Sequence, residues 1–268
     1  MWIDTHCHLD AQEFDSDRDE VVARATAAGV HMMVLPAVDV AGFTRVRDCA
    51  YQYGYVYALG IHPLAVANAQ VSDLEQLDRA AQSACADARF VAIGEIGLDC
   101  SQGAPPIESQ ELFYREQLQI AWRLQLPVIL HVRRSADRLL YHLRRVGVTG
   151  GIAHAFNGSD VQAQGFMQLG MRLGFGGSAT YDGSRRIRRF AAQLPSEAIV
   201  LETDAPDIPP QWLRANGAVG RNEPSELAPV AAVIAGLRGI TIQELAHITG
   251  RNALAALPRL AQLSASSQ

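Results

Sequence analysis

The chain has 268 residues, 49% of them hydrophobic and 19% charged, an ordinary globular composition long enough to bury a large core. Its formal net charge is −5, which argues against holding nucleic acid through a broad basic surface. A substrate phosphate could still be held where metal ions supply positive charge locally.

The first residues read MWIDTHCH, with neither the basic start nor the apolar segment of a secretory signal. They form the first strand candidate, 1–6. A helix over 17–28 follows, then a strand at 31–37 whose apolar run, MMVLPAV at 32–38, is far too short to span a bilayer. The alternation continues: helix 41–53, strand 55–61, helix 72–87, strand 90–95, helix 107–125 and strand 127–132. Helix 135–147, strand 151–155, helix 160–170, strand 171–176, helix 184–194 and strand 198–203 complete it. Short continuous apolar runs of this kind suit strands covered on both faces, as in parallel sheets. In 107–125, Phe113, Ile120, Ala121 and Leu124 fall near one helical face, with charged residues off it. A long stretch dense in Pro, Gly and Asn, 205–226, precedes two closing helices near 226–238 and 241–255. A segment of that length without regular structure is usually functional. Residues 1–258 are expected to form a single domain and 259–268 a partly disordered tail.

Eight strands alternating with helices predict an α/β fold, a TIM-like (β/α)₈ barrel with extra C-terminal helices. A doubly wound sheet would announce itself with a glycine-rich turn after the first strand, and THCHLD holds no glycine. Cys7, Cys49, Cys85 and Cys100 are scattered without CxxC spacing and read as free thiols in a reducing cytoplasm.

The C-terminal ends of barrel strands form the catalytic face. There the chain places His6, His8, Glu95, His131, His154, Glu202 and Asp204, with His62 directly after strand three. Strand alternation puts His6 and His8 on one face and Cys7 on the other, toward the helices. It likewise pairs Glu202 with Asp204, and His131 with Arg133. Imidazole and carboxylate together suit zinc, manganese or iron, and carboxylate with water suits magnesium. Four histidines with Glu95 and Asp204 exceed the needs of one ion and match two, sharing a carboxylate. Against this stand blander readings: polar loop residues for the first pair, core imidazoles for His131 and His154, a helix cap for Asp204. His31, His142, His247, Asp4, Asp10 and the cysteines receive no role. Arg185, Arg186, Arg188 and Arg189 form the charged part of RRIRR, a solvated helix face by default; because it follows strand seven on the catalytic side, Arg185 or Arg186 meeting a nucleic-acid backbone is the alternative.

The motifs DTHCHLD (4–10), GIHP (60–63), IGEIGLD (93–99), PVILHVR (127–133), HAFNG (154–158), LETDAP (201–206), GRNEP (220–224) and RNA (251–253) occur in one order. Through them the chain resembles the TatD family of metal-dependent deoxyribonucleases, within the amidohydrolase-like barrels. The resemblance implies that His6, His8, Glu95 and Asp204 hold a first divalent ion, with Glu95 bridging to a second held by His131 and His154. Zinc, magnesium and manganese are the candidates. Two departures, Cys100 after GLD and Leu64 after GIHP, touch the rim rather than the ligands.

The expected activity is metal-dependent hydrolysis of phosphodiester bonds, DNA being the partner, by a 3′–5′ exonuclease with Asp204 as general base and Glu95 beside it. His62, Arg133, Asn157, Arg221 and Asn222 are candidate substrate contacts. Glu202 is either such a contact or an orienter of a histidine. Hydrolysis of a small amide, lactone or phosphoester is the rival on the same barrel, and a non-catalytic metal-binding protein is the second. No obligate protein partner and no membrane segment are expected.

Overall fold

The computed structural model describes residues 1–215 and 218–266. Eight parallel strands, β1 (Trp2–Asp4), β2 (Val30–Pro36), β3 (Val56–Leu59), β4 (Phe90–Asp99), β5 (Val128–Arg133), β6 (Gly151–His154), β7 (Met171–Phe175) and β8 (Ile199–Leu201), pair in chain order. Just past their ends, backbone bonds from Thr5 N to Leu201 O and from Asp204 N to His6 O join the first strand to the last. Around this barrel lie α1 (Arg18–Ala27), α2 (Phe43–Tyr53), α3 (Val71–Ala84), α4 (Ile107–Leu124), α5 (Ala136–Val146), α6 (Asp160–Gln168) and α7 (Arg185–Gln193). Then come α8 (Leu227–Arg238), α9 (Ile242–Ala256) and α10 (Pro258–Ser266). All eight strands and nine of these helices stand where the apolar periodicity places them. Helix α10 occupies the stretch expected as a tail, and its Leu260 is fully buried; residues 267 and 268 lie outside the described part.

Alternation divides the core. Val34, Val56, Ala58, Ile129, Ile152 and Val200 form one cluster with Leu257 and Leu260, the interior of the barrel closed from below by α10. Their neighbours Leu35, Tyr57, Leu130, Ala153 and Leu201 belong to the other cluster, with Leu77, Leu118 and Leu139 from the helices. Counting upward from the interior set in steps of two reaches His131, His154 and Glu202. The lower barrel is thus apolar and its upper end polar by one rule.

Strand β4 departs from that rule. Counted from Ala92, Glu95 would face outward, but the pairing of β4 with β5 shifts register between Ile93 and Ile96. Gly97 permits the close approach that follows. Its φ is +147°, and a Cβ there would overlap the carbonyl of His131. Both backbone strain and overlap oppose any side chain. The expected cost of Gly97→Ala is about 3 kcal/mol or more, read as a lower midpoint in urea unfolding.

Among the described residues no single helix is long and apolar enough to cross a membrane. None of the four cysteines is in a disulfide, and Cys7 and Cys49 are buried.

Candidate metal centre

β1 ends at Asp4, earlier than the expected 1–6, so His6 and His8 sit on the segment that follows it. Three bonds fix that segment: Thr5 N to Leu201 O, Cys7 N to Val34 O and His8 N to Ala205 O. Asp4 anchors it from beneath. Fully buried, it accepts from His6 N, Thr203 N and the Thr203 hydroxyl. Burial nevertheless pushes its carboxyl up to about 7. Cys7 turns toward the helices and is fully buried, as alternation of the pair predicts.

The two rings converge on acids from opposite sides of the barrel. His6 Nε2 lies 3.2 Å from His8 Nε2, 3.1 Å from Glu95 Oε2 and 3.5 Å from Asp204 Oδ1. His8 Nε2 lies 3.6 Å from each of the same two carboxylates. The other oxygen of Glu95 faces the far half of the mouth. Oε1 lies 2.9 Å from His131 Nδ1, 3.5 Å from His62 Nε2 and 4.0 Å from His154 Nε2. His154 Nε2 in turn lies 3.7 Å from Asp204 Oδ2, and its ring stacks on that of His6 at 3.8 Å.

Two further acids stand behind these rings. Asp99 Oδ2 lies 3.0 Å from His131 Nε2, and Glu202 Oε1 lies 3.2 Å from His154 Nδ1 while accepting from Ala155 N at 2.6 Å. A carboxylate behind an imidazole fixes its tautomer and orientation and raises the basicity of the other nitrogen. Glu202 fits against β7 because residue 174 is glycine; a Cβ there would overlap its carboxylate.

The charges respond to this crowding. Burial opposes ionisation of Glu95, yet His6, His62 and His131 hold its carboxyl well below the ordinary value. Burial lowers His6 well below its usual value, with His154 adding to the effect. His8 and His154 are also desolvated. Glu95 and Asp204 nevertheless hold His8 up at about 9, and Glu202 and Asp204 hold His154 up at about 10. Burial raises Asp204 to about 6.

The residues fit divalent cations. Three groups of donor atoms each lie within 4.8 Å: His6, Glu95 and His154; His6, His8 and Asp204; His62, Glu95 and His131. Facing imidazole nitrogens among desolvated carboxylates are the chemistry of a zinc- or manganese-type site. The ring Nδ1 atoms of His6 and His8 are buried without a hydrogen-bond partner among the described residues, so ring orientation there is set by what the Nε2 atoms face.

All six expected ligands come together. His62, expected as a substrate contact, lies inside the donor cluster. Arg133 and Asn157 are exposed on the rim, Asn157 Oδ1 accepting from Arg186 Nε at 2.9 Å. Glu202 is buried behind His154. Arg221 lines the mouth, but its guanidinium is engaged: it donates to both oxygens of Asp17 at 2.8 and 2.7 Å and lies over the Phe14 ring. Asn222 does not face the mouth. It is buried, and its amide donates to the carbonyls of Thr203 and Asp207, bracing loop 205–224 from within. Residues 216 and 217 of that loop lie outside the described part. Leu64 lines the mouth and is 44% exposed. Asp99 was not singled out from the sequence; its signal is its place at the end of IGEIGLD, four residues after Glu95.

Above the cluster opens a cavity of ≈ 1530 Å³. Residues 3–258 match the family model described as TatD related DNase. The chain is 42% identical to the uncharacterized metal-dependent hydrolase YjjV of Escherichia coli K12, over 92% of this chain and 93% of that one. The crystal structure of YjjV superposes with a TM-score of 0.88 at 39% identity, covering 96% and 98% of the two chains. The 3′-5′ ssDNA/RNA exonuclease TatD of Klebsiella pneumoniae is 34% identical over 93% of this chain and 95% of its own. With its barrel, its ordered motifs and its histidine–carboxylate cluster, the chain belongs to the TatD family and is a metal-dependent hydrolase.

Proposed function

We propose that the chain is a two-metal deoxyribonuclease that removes nucleotides from the 3′ ends of single strands. The observation that carries this reading is the mouth. At ≈ 1530 Å³ it exceeds the roughly 300–1,000 Å³ usual for small-molecule sites, which weighs against a small amide, lactone or phosphoester. Its donor cluster lies at the floor of that mouth, where a chain end reaches more easily than the middle of a duplex.

His6, His8, Glu95 and Asp204 would hold one cation, and Glu95, His131 and His154 the other. Bound cations would supply Lewis acidity, activating water near neutral pH and offsetting phosphoryl charge. Asp204 accepts the proton of the attacking water, its two carboxylate oxygens facing His6 at 3.5 Å and His154 at 3.7 Å within the donor cluster. Arg133, on the rim beside His131, offsets charge on the phosphoryl oxygens.

The test is a 5′-labelled single-stranded oligodeoxynucleotide incubated with Mg²⁺ or Mn²⁺. The expected result is stepwise loss from the 3′ end, abolished by chelation. Full-length DNA remaining with the wild-type protein in both metals would refute the nuclease reading.

A further inference from the structure

The arginines of the mouth fall into two groups. Arg45 pairs with Asp10, and Arg221 with Asp17 and Glu223. Among the described residues, Arg133, Arg134, Arg186 and Arg214 have no carboxylate partner, although all four line the cavity and are exposed. Arg186 is steadied by Asn157, and Arg214 lies 5.8 Å from the centre of the Tyr181 ring.

Their positions are not scattered. Arg133 ends β5 and Arg134 follows it, Arg186 stands in the first turn of α7 after β7, and Arg214 follows β8. The uncompensated cations therefore occupy the arc from β5 to β8. The arc after β1 and β2 presents Glu13 and Asp39, with Asp10 paired to Arg45. Asp207 is the rim acid on the arginine side. In a chain of net charge −5, clustering free arginines on one side of a cavity establishes a local field that the whole molecule lacks. Tyr181 stands on the same arc, with its hydroxyl donating to Pro209 O. Such a tethered ring beside Ile187 and Pro209, which also line the mouth, offers a platform for a base, the pairing of cation and aromatic that sequence-tolerant single-strand binding uses.

We propose that Arg134, Arg186 and Arg214, with Tyr181, form a track for the single-stranded DNA upstream of the scissile bond, leading the strand out over the β5–β8 side. This rests on the nuclease reading and adds a direction and a length requirement. A substrate must be long enough to reach past the metal centre before these arginines contribute, and the acidic arc repels a strand laid the other way.

The experiment compares kcat/KM for a thymidine dinucleotide and a thymidine decanucleotide, in the wild type and in Arg134→Ala, Arg186→Ala and Arg214→Ala. In parallel, binding of both oligonucleotides to Asp204→Asn carrying the same substitutions is followed by fluorescence anisotropy. The wild type is expected to prefer the decanucleotide by about tenfold or more. Each substitution lowers that ratio severalfold and makes the salt dependence of decanucleotide binding shallower by about 0.7 in log–log slope per arginine. Arg186→Lys, which keeps the charge, restores most of the preference. Equal kcat/KM for both lengths, or a ratio and salt slope untouched by all three substitutions, overturns the track while leaving the nuclease reading in place. If the wild type cleaves neither oligonucleotide, both fall.

Discussion

Asp204→Asn is expected to lower kcat on single-stranded DNA by about 10²–10⁴-fold, the usual contribution of a positioned general base, while raising the melting temperature of the metal-free protein. The two effects have one source. Burial raises the Asp204 carboxyl to about 6 against the attraction of His154 and His8, with Glu95 and Glu202 adding to the rise, so its ionised form is held at a net cost. A neutral amide removes that net cost, chiefly the desolvation of a buried charge. The backbone tolerates the change, because Asp204 has φ +57° and asparagine is among the residues most at ease in the left-handed region. The oxygen that remains can still serve as a ligand, but it cannot take a proton. Stopped assays with labelled DNA and a thermal melt in chelator read the two effects separately. A variant keeping more than about a tenth of wild-type kcat would remove Asp204 from the base role.

Glu95→Gln is expected to be more severe for metal. The two oxygens of Glu95 serve different halves of the centre, Oε2 facing His6 and His8 and Oε1 facing His131, His62 and His154. An amide offers one acceptor and one donor, and the donor would point at one of those groups of imidazoles. Outer partners of ligands alone change metal affinity by 10–100-fold; on the two-metal proposal, losing Glu95 should cost about 100-fold or more. Titration calorimetry and metal content after dialysis measure it. Near wild-type loading of both positions would show that Glu95 does not join them.

Much of this arrangement is legible in the sequence because alternation is a short-range rule. Ile129 and Ile152 predict His131 and His154 without any knowledge of the whole. The ends of elements are less legible. His6 and His8 lie beyond β1, held by bonds to Val34 and Ala205 that only the closed barrel supplies. Glu95 enters through a register shift that no local pattern announces. Asn222 and Arg221 sit in a motif beside the site, yet one braces its loop from within and the other is tied to Asp17. Sequence shows that polar residues gather there; it does not distinguish a strut from a contact, since both need the same donors. Asp99 is illegible for the converse reason. Its strand runs to residue 99 rather than 95, and the longer strand is what brings its carboxylate behind His131.

Every barrel built in chain order must be closed where its first strand meets its last, and here that join is made by the loops just above β1 and β8. Asp4 reaches across it to Thr203, and His6 O accepts from Asp204 N. The same join runs through one group of donors that could hold an ion, His6 and His8 on one side and Asp204 on the other. A cation held by all three would therefore act as a clasp between the two ends of the sheet. Holding the ion and keeping the cylinder shut become a single property of this chain, so loss of metal would be felt first along that seam.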